Sequence, residues 1–375
     1  MLASITALTI SALAVYGLAT CKTKDENVRI INLLLKENLK QGKGESIVYP
    51  YVSSYTDDTY FIELPTGFEF KQLENLKGKI ENALRERVSI TNDNFTYSIK
   101  IEKEKVETPT NVPFSLIDMK KEKIKVAVGV NGDELVYLDF TKAPHTLIGG
   151  STGFGKSVFT KALILQLLHN YPDSELELFD FKAGIELADF KDLKQTKTFI
   201  VKPHLAQQEI ERIYSEINER FDVITNNKCR DIFEYNSKSN NKMQYKFVII
   251  EEFTILLDIQ DEVSTILVKS LAIARAVGVY FVFTSQRFSA DIIDSKIKAN
   301  IDNRICFRVA DVMNSKIILD SAGGEKIQIK GRAILSQSGQ QQEFQSFNVN
   351  QNDVTMVTKH HLDINKVKKE EKFWA

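Results

Sequence analysis

Residues 146–168 read TLIGGSTGFGKSVFTKALILQLL, and this stretch decides the fold. A short apolar strand (Thr146, Leu147, Ile148) runs into the pattern G-x-x-x-x-G-K-[ST] at Gly150–Ser157, and an amphipathic helix follows from Val158 to Leu168. Strand, glycine loop and helix in that order form a phosphate cradle. Gly150, Gly153 and Gly155 let successive backbone N–H groups turn inward, with Ser151, Thr152 and Phe154 completing the loop. Lys156 supplies a point charge to the β and γ oxygens, and the Ser157 hydroxyl suits a Mg²⁺ ion. The expected ligand is a nucleoside triphosphate, ATP with Mg²⁺.

A second signal lies downstream in KFVIIEEF, residues 246–253. A buried parallel strand ending in two carboxylates delivers them to the carboxyl edge of a sheet, beside the phosphate loop. There one acid, Glu251, can hold Mg²⁺ through water, and the other, Glu252, can polarise an attacking water. The next apolar run ends in FTSQR, residues 283–287, a polar strand tip where Gln286 can sense the γ-phosphate. Arg275 precedes that run and by itself reads as a helix-surface cation; its meaning depends on whether the protein forms a ring.

From Lys123 onward strands and helices alternate, with strands expected at 123–129, 135–140, 146–149, 176–180, 246–251, 279–285 and 304–309. The pattern predicts an α/β P-loop NTPase of the RecA-like kind, a parallel sheet with helices on both faces. Ahead of it, 46–52, 58–64 and 95–102 are rich in Val, Ile, Tyr, Phe and Thr, while Leu73, Leu76, Ile80 and Leu84 space a helix over Lys71–Val88. The expected organisation is a transmembrane helix at 1–21, a juxtamembrane helix and linker at 22–45, a small α+β domain at 46–118, the ATPase motor at 119–350 and a frayed tail at 351–375.

The 375 residues are 43% hydrophobic, and 49 Lys and Arg face 50 Asp and Glu, so no global basic field advertises nucleic acid. Cys21, Cys229 and Cys306 lie far apart with no C-x-x-C or nearby histidine pair, which argues against a disulfide framework or a zinc site and fits a reducing cytosol. Residues 1–20 carry no charge, long enough as a helix to span the roughly 30 Å of a bilayer core. Competing readings are a cleaved signal peptide, a lipoprotein signal ending at Cys21 and a buried helix. A signal peptide places cations before its apolar core, whereas here the first, Lys22, comes after it. Lys22 and Lys24 at the far end predict a single-pass anchor with the body in the cytoplasm.

From Gly129 to Asp320 the chain resembles the motor of the FtsK/SpoIIIE family of hexameric DNA translocases. The resemblance rests on ordered blocks: Pro144–Gly150, Phe179–Lys182 with Glu186 and Leu187, Glu219–Phe221, Ala274–Gly278, Ser285–Arg287, Ile297–Ile301 with Arg304 and Ile305, and Ser315–Asp320. Fainter similarity to the small domain that caps the family's ring covers Gly67–Ile101. The resemblance implies that Lys156 and Ser157 bind nucleotide and Mg²⁺, that Glu252 activates water and that Gln286 is the sensor. It implies that Arg275 enters the neighbouring subunit's ATP site in a homo-hexamer, and that Ser285, Arg287 and Lys298 line the pore and touch the DNA backbone. Phosphate contacts of that kind grip double-stranded DNA without reading its sequence.

Three departures bear on function. Glu251 stands where the family usually has an aspartate; Asp311, Val312 and Met313 occupy a region where chromosomal pumps often carry a further basic pore residue; and the chain stops before any C-terminal winged-helix module. The expected function is a membrane-tethered ATP-driven DNA translocase serving conjugative transfer or partition of a mobile element, with conjugation or relaxosome proteins as partners. Alternatives are a type VII secretion-like export motor and a nucleotide-binding assembly protein with weak hydrolysis. DNA-stimulated turnover separates the three.

Overall fold

The structure is a computed structural model describing residues 24–42, 47–56, 58–93, 96–102, 107–119, 124–259, 261–286, 295–363 and 366. The expected membrane helix at 1–21 falls outside these. Among the described residues no helix is long and apolar enough to cross a membrane. The chain divides into two compact units, Met1–Lys105 and Val106–Ala375.

In the first unit four antiparallel strands, β1 (Tyr51–Tyr55), β2 (Thr59–Glu63), β3 (Arg87–Asp93) and β4 (Thr96–Glu102), pair in the order β1-β2-β4-β3. Ile31 and Leu35, on one stripe of the helix Lys24–Asn38, are buried with Tyr60, Ile62 and Ile99 of the sheet. The single helix expected over 71–88 is instead two, Phe70–Glu74 and Lys77–Leu84, and then a strand. Leu73, Leu76, Ile80 and Leu84 are all buried as their spacing requires. Val88 continues that spacing but is buried from β3, because Arg85 adopts a left-handed conformation (φ 58°) that ends the helix.

The second unit is built on one large mixed sheet. Its strands are β5 (Val112–Pro113), β6 (Lys125–Asn131), β7 (Glu134–Asp139), β8 (Thr146–Gly149), β9 (Glu175–Asp180), β10 (Thr196–Ile200), β11 (Lys246–Glu251), β12 (Val279–Ser285), β13 (Asn303–Cys306), β14 (Arg332–Gln337) and β15 (Gln340–Asn348). They run in the order β10-β9-β11-β12-β8-β13-β14-β15-β6-β7, with β5 on β15. The six from β10 to β13 are mutually parallel, the P-loop NTPase core. The next four are antiparallel. The all-parallel expectation is therefore corrected for the segments at 123–129 and 135–140. Only Gly132 (φ 63°) and Asp133 separate β6 from β7, a connection that makes a hairpin and is far too short for a parallel crossover.

β11 and β12 are buried along their whole length. Alternate residues face opposite layers: Phe247, Ile249, Tyr280 and Val282 pack in one core with Phe159 and Leu163 of the helix Lys156–Asn170, while Val248, Ile250, Phe281 and Phe283 join Ile210, Ile217 and Leu267 from the helices Ala206–Asn226 and Asp261–Ala274. This double burial explains why the strands read as unbroken apolar runs. At the start of β11 the Lys246 ammonium is held by Glu177 at 2.5 Å and Glu216 at 2.8 Å.

The expected tail begins with an ordered helix, Gln351–Thr358. Asn350 caps it by accepting from the N–H groups of Asn352 and Asp353, and Val354 and Val357 are buried. Phe281, fully buried, stacks on Phe283 with centroids 5.8 Å apart. Phe281→Ala should therefore cost about 3–5 kcal/mol in chemical denaturation, and a loss below about 1 kcal/mol would contradict this packing.

Candidate nucleotide site

Strand register assembles the site. Asp180 stands opposite Glu251, Ile250 opposite Phe283, and Ser285 and Cys306 each opposite Gly149. The ends of β9, β11, β12, β8 and β13 thus share one carboxyl edge. The phosphate loop leaves β8 at that edge and enters the helix Lys156–Asn170, whose first-turn N–H groups have no intrahelical acceptor. The Ser151 N–H bonds to the Arg308 carbonyl at 2.7 Å, and the Phe154 carbonyl accepts from Gly331 N–H at 3.1 Å. Gly155 needs its glycine twice over: φ is 108°, and a Cβ would lie 3.0 Å from the Gly331 Cα.

The Lys156 ammonium is buried and donates to Glu251 Oε2 at 3.2 Å and to Thr284 Oγ1 at 3.4 Å. Thr284 in turn donates to the same Glu251 oxygen. The other oxygen, Oε1, is buried and accepts no hydrogen bond from the described residues. The Ser157 hydroxyl belongs to the first turn of the same helix as Lys156.

Glu252 is arranged differently. Its φ of 57° is costly for a residue with a Cβ. Oε1 accepts from the Ser285 hydroxyl at 2.8 Å and the Gln286 N–H at 3.0 Å, while Oε2 lies 3.4 Å from the Lys182 ammonium. Burial disfavours the charge, but the Gln286 N–H, the Ser285 hydroxyl and the charges of Lys182 and Lys156 outweigh it and hold the carboxyl below the usual glutamate range. The Gln286 side-chain carbonyl accepts from the Thr152 hydroxyl at 2.8 Å, linking β12 to the phosphate loop.

Arg275 lies elsewhere. It sits on the turn before β12, exposed, donating to the Thr141 carbonyl at 2.8 Å, whereas Glu252 and Gln286 meet at the far end of that strand. Seven strand residues separate the two ends by about 20 Å, so Arg275 does not reach its own chain's phosphate loop. His145 fixes the helix before Arg275: its Nδ1 accepts from Phe281 N–H at 3.2 Å, and Nε2–H donates to the Leu271 carbonyl at 3.1 Å. Burial pushes its pKa down to about 4 against the opposing pull of that carbonyl, so the ring is neutral near pH 7.

The residues that the resemblance assigned to DNA separate. Ser285 is fully buried, its hydroxyl donating to Glu252 Oε1 at 2.8 Å and lying 3.0 Å from the Thr254 hydroxyl. Lys298, on the short helix Ser295–Ala299, is paired with Asp320, which also binds Arg304. Arg287 lies outside the described residues. Sequence reasoning assigned no role to Lys182 and did not single out Thr284, although Lys182 follows a strand end in the quoted block Phe179–Lys182 and Thr284 is one residue from Ser285.

Residues 114–338 match the model of the FtsK/SpoIIIE family. The chain belongs to that family. It is 39% identical over 212 residues to the DNA translocase FtsK of Treponema pallidum, covering 54% of this chain and 26% of that protein. Against the DNA translocase FtsK of Borreliella burgdorferi it is 28% identical over 325 residues, 82% of this chain and 41% of that protein. The chain thus spans less than half the length of these curated relatives. Among solved structures, the pCW3 conjugation coupling protein TcpA superposes with a TM-score of 0.62 at 22% identity, over 92% of this chain and all (100%) of that one. The cytoplasmic domain of the Thermomonospora curvata type VII secretion ATPase EccC gives 0.58 at 19% identity, over 69% of this chain and 33% of that one. At these identities the superpositions establish a shared fold.

Because Lys156 is the buried partner of Glu251, Lys156→Ala strands a carboxylate and should destabilise the unit by about 3–5 kcal/mol in denaturant melts. Adding Glu251→Gln should restore part of the loss, since the orphaned charge is removed. An unchanged melt for Lys156→Ala would contradict the pair.

Proposed function

We propose that this FtsK/SpoIIIE chain is an ATP-driven, ring-forming translocase that moves double-stranded DNA without sequence preference, tethered to the membrane through residues 1–21 and serving transfer or partition of a mobile element. The observation that carries the motor reading is the gathering of Lys156, Glu251, Glu252 and Gln286 at one sheet edge beside a phosphate-cradling loop. In this reading Lys156 and the loop N–H groups bind the ATP phosphates, and Glu252 takes the proton of the attacking water. Gln286, bonded to Thr152, registers the γ-phosphate. The Ser157 hydroxyl and the unpaired Glu251 Oε1 suit a hard cation, and the residues fit Mg²⁺, which supplies positive charge to the phosphate oxygens when bound.

Arg275 serves a neighbouring subunit's site in this reading, supported by its exposed position at the opposite end of β12. For Lys298 to grip DNA it must exchange Asp320 for a phosphate. Membrane tethering rests on the uncharged stretch 1–20, and the transfer role is in keeping with the fold shared with a conjugation coupling protein. An export motor is the second reading, because type VII secretion ATPases share the fold.

Duplex DNA should stimulate ATP hydrolysis by the full chain, and unrelated sequences should do so equally. Indifference to DNA would favour the export motor. Glu252→Gln should bind ATP without turnover. Arg275→Ala and Lys156→Ala should each be nearly inactive alone yet regain part of the activity when mixed, since a Lys156→Ala subunit still carries the arginine that an Arg275→Ala neighbour's intact phosphate loop lacks. If subunits exchange and the mixture stays inactive, Arg275 does not act in trans.

A further inference from the structure

Residues 141–145 lead from β7 into β8, and nearly every one of them is tied down. Thr141 and Lys142 donate their N–H groups to Asp139 Oδ1 at 3.0 and 3.2 Å, and the Ala143 N–H bonds to the Asp139 carbonyl at 3.0 Å, so the segment starts from a fixed turn. The Thr141 carbonyl then accepts from Arg275 Nη2 at 2.8 Å. Two residues on, the Ala143 carbonyl accepts from Nδ2 of the buried Asn303 at 2.6 Å, and the His145 carbonyl accepts from the Asn303 N–H at 3.3 Å. Asn303 opens β13 opposite Thr146, the first residue of β8.

The fully buried His145 ring meets the Phe281 ring with centroids 5.5 Å apart. Its Nδ1 takes the Phe281 N–H one residue before Val282, where β12 begins to pair with β8. Its Nε2–H reaches the Leu271 carbonyl in the last turn of the helix Asp261–Ala274. The last four carbonyls of a helix lack an intrahelical donor, so the imidazole supplies one there. Arg275 begins the 3₁₀ turn directly after that helix, and its guanidinium donates to no described residue other than Thr141. The base and the head of the arginine are thus both fixed by the segment 141–145, which continues through β8 into the phosphate loop. β8 is buried throughout and paired on both sides, so it transmits a shift along its axis instead of bending.

We infer that His145, with Asn303 behind it, is a positioning residue for Arg275: the arginine that a chain presents to its neighbour is aimed by the segment that feeds the chain's own phosphate loop. The inference rests on the reading of Arg275 as acting in trans.

Asparagine and glutamine separate the two ring nitrogens. The Asn amide reaches the place of Nδ1 and can accept from the Phe281 N–H but falls short of Leu271, whereas Gln carries an N–H donor to the place of Nε2. Misplacing a catalytic group by about 1 Å can cost about 100-fold in rate. For the full chain, His145→Asn should therefore lower kcat for ATP hydrolysis by about 10-fold to 100-fold, with equilibrium binding of ATPγS unchanged, and His145→Gln should restore most of the rate. Mixed subunits give the readout that a structural role does not produce. His145→Asn keeps a sound phosphate loop and spoils only the aim of the arginine, so Lys156→Ala subunits should rescue it and Arg275→Ala subunits should not. Wild-type kcat in His145→Asn overturns the inference, as does an equal loss in folded His145→Gln. Rescue of His145→Asn by Arg275→Ala overturns it too, because the defect would then lie in the chain's own site. Should His145→Asn not fold, Asn303→Ala takes its place in the same mixtures with the same expectations. Failure of Arg275→Ala and Lys156→Ala to rescue one another would instead remove the trans reading, and the inference with it.

Discussion

Everything at the nucleotide site depends on the buried contact between the Lys156 ammonium and Glu251 Oε2. Neither charge is stable alone in a sheet core, and together they require β8, with the loop that follows it, and β11 to end at the same level. β12 meets that requirement from between them, hydrogen-bonded in register to both and bringing Thr284 to the same carboxylate oxygen. The apolar double layer behind the edge keeps the strands from slipping, because a one-residue shift would turn Phe281 and Phe283 towards the wrong core.

Two adjacent glutamates are driven to different chemistry by one backbone torsion. Glu251 closes an extended strand, points into the sheet edge and neutralises Lys156. Glu252 follows in a left-handed conformation that swings its carboxylate towards Ser285, Gln286 and Lys182. The hydrogen bonds it makes possible offset the strain and hold a buried carboxylate below the usual glutamate range. The Glu251 carboxylate reaches both Lys156 and Thr284 through the same oxygen.

The sheet also separates two groups of residues. The phosphate loop and the two glutamates gather at the carboxyl ends of the parallel strands, while Arg275 is held at the opposite end of β12 by Thr141 and by the helix that His145 anchors. β8 joins the two regions, since His145 precedes it and the phosphate loop follows it. A strand that touches both ends is a rigid connection between an exposed arginine and the chain's own nucleotide loop.

The sequence by itself determined the local pieces: the glycine loop, the apolar runs of β8, β11 and β12, and the identities of Lys156, Glu251, Glu252 and Gln286, because these depend on residue type and short spacing. It misled where a pattern serves two structures, as when Val88 extends a helical spacing from within a strand, and it passed over β14, whose apolar run is only Ala333–Leu335, and β15, which is rich in glutamine. Pairing partners were the tertiary structure's to decide. That β6 and β7 join an antiparallel extension, that Ser285 faces Glu252 instead of solvent, that Lys298 is bound to Asp320 and that Lys182 reaches Glu252 all depend on segments tens of residues apart. Periodicity along a chain records which face of an element is buried; it carries no record of which distant charge or hydroxyl will lie opposite, since that is fixed by register and packing once the sheet has closed.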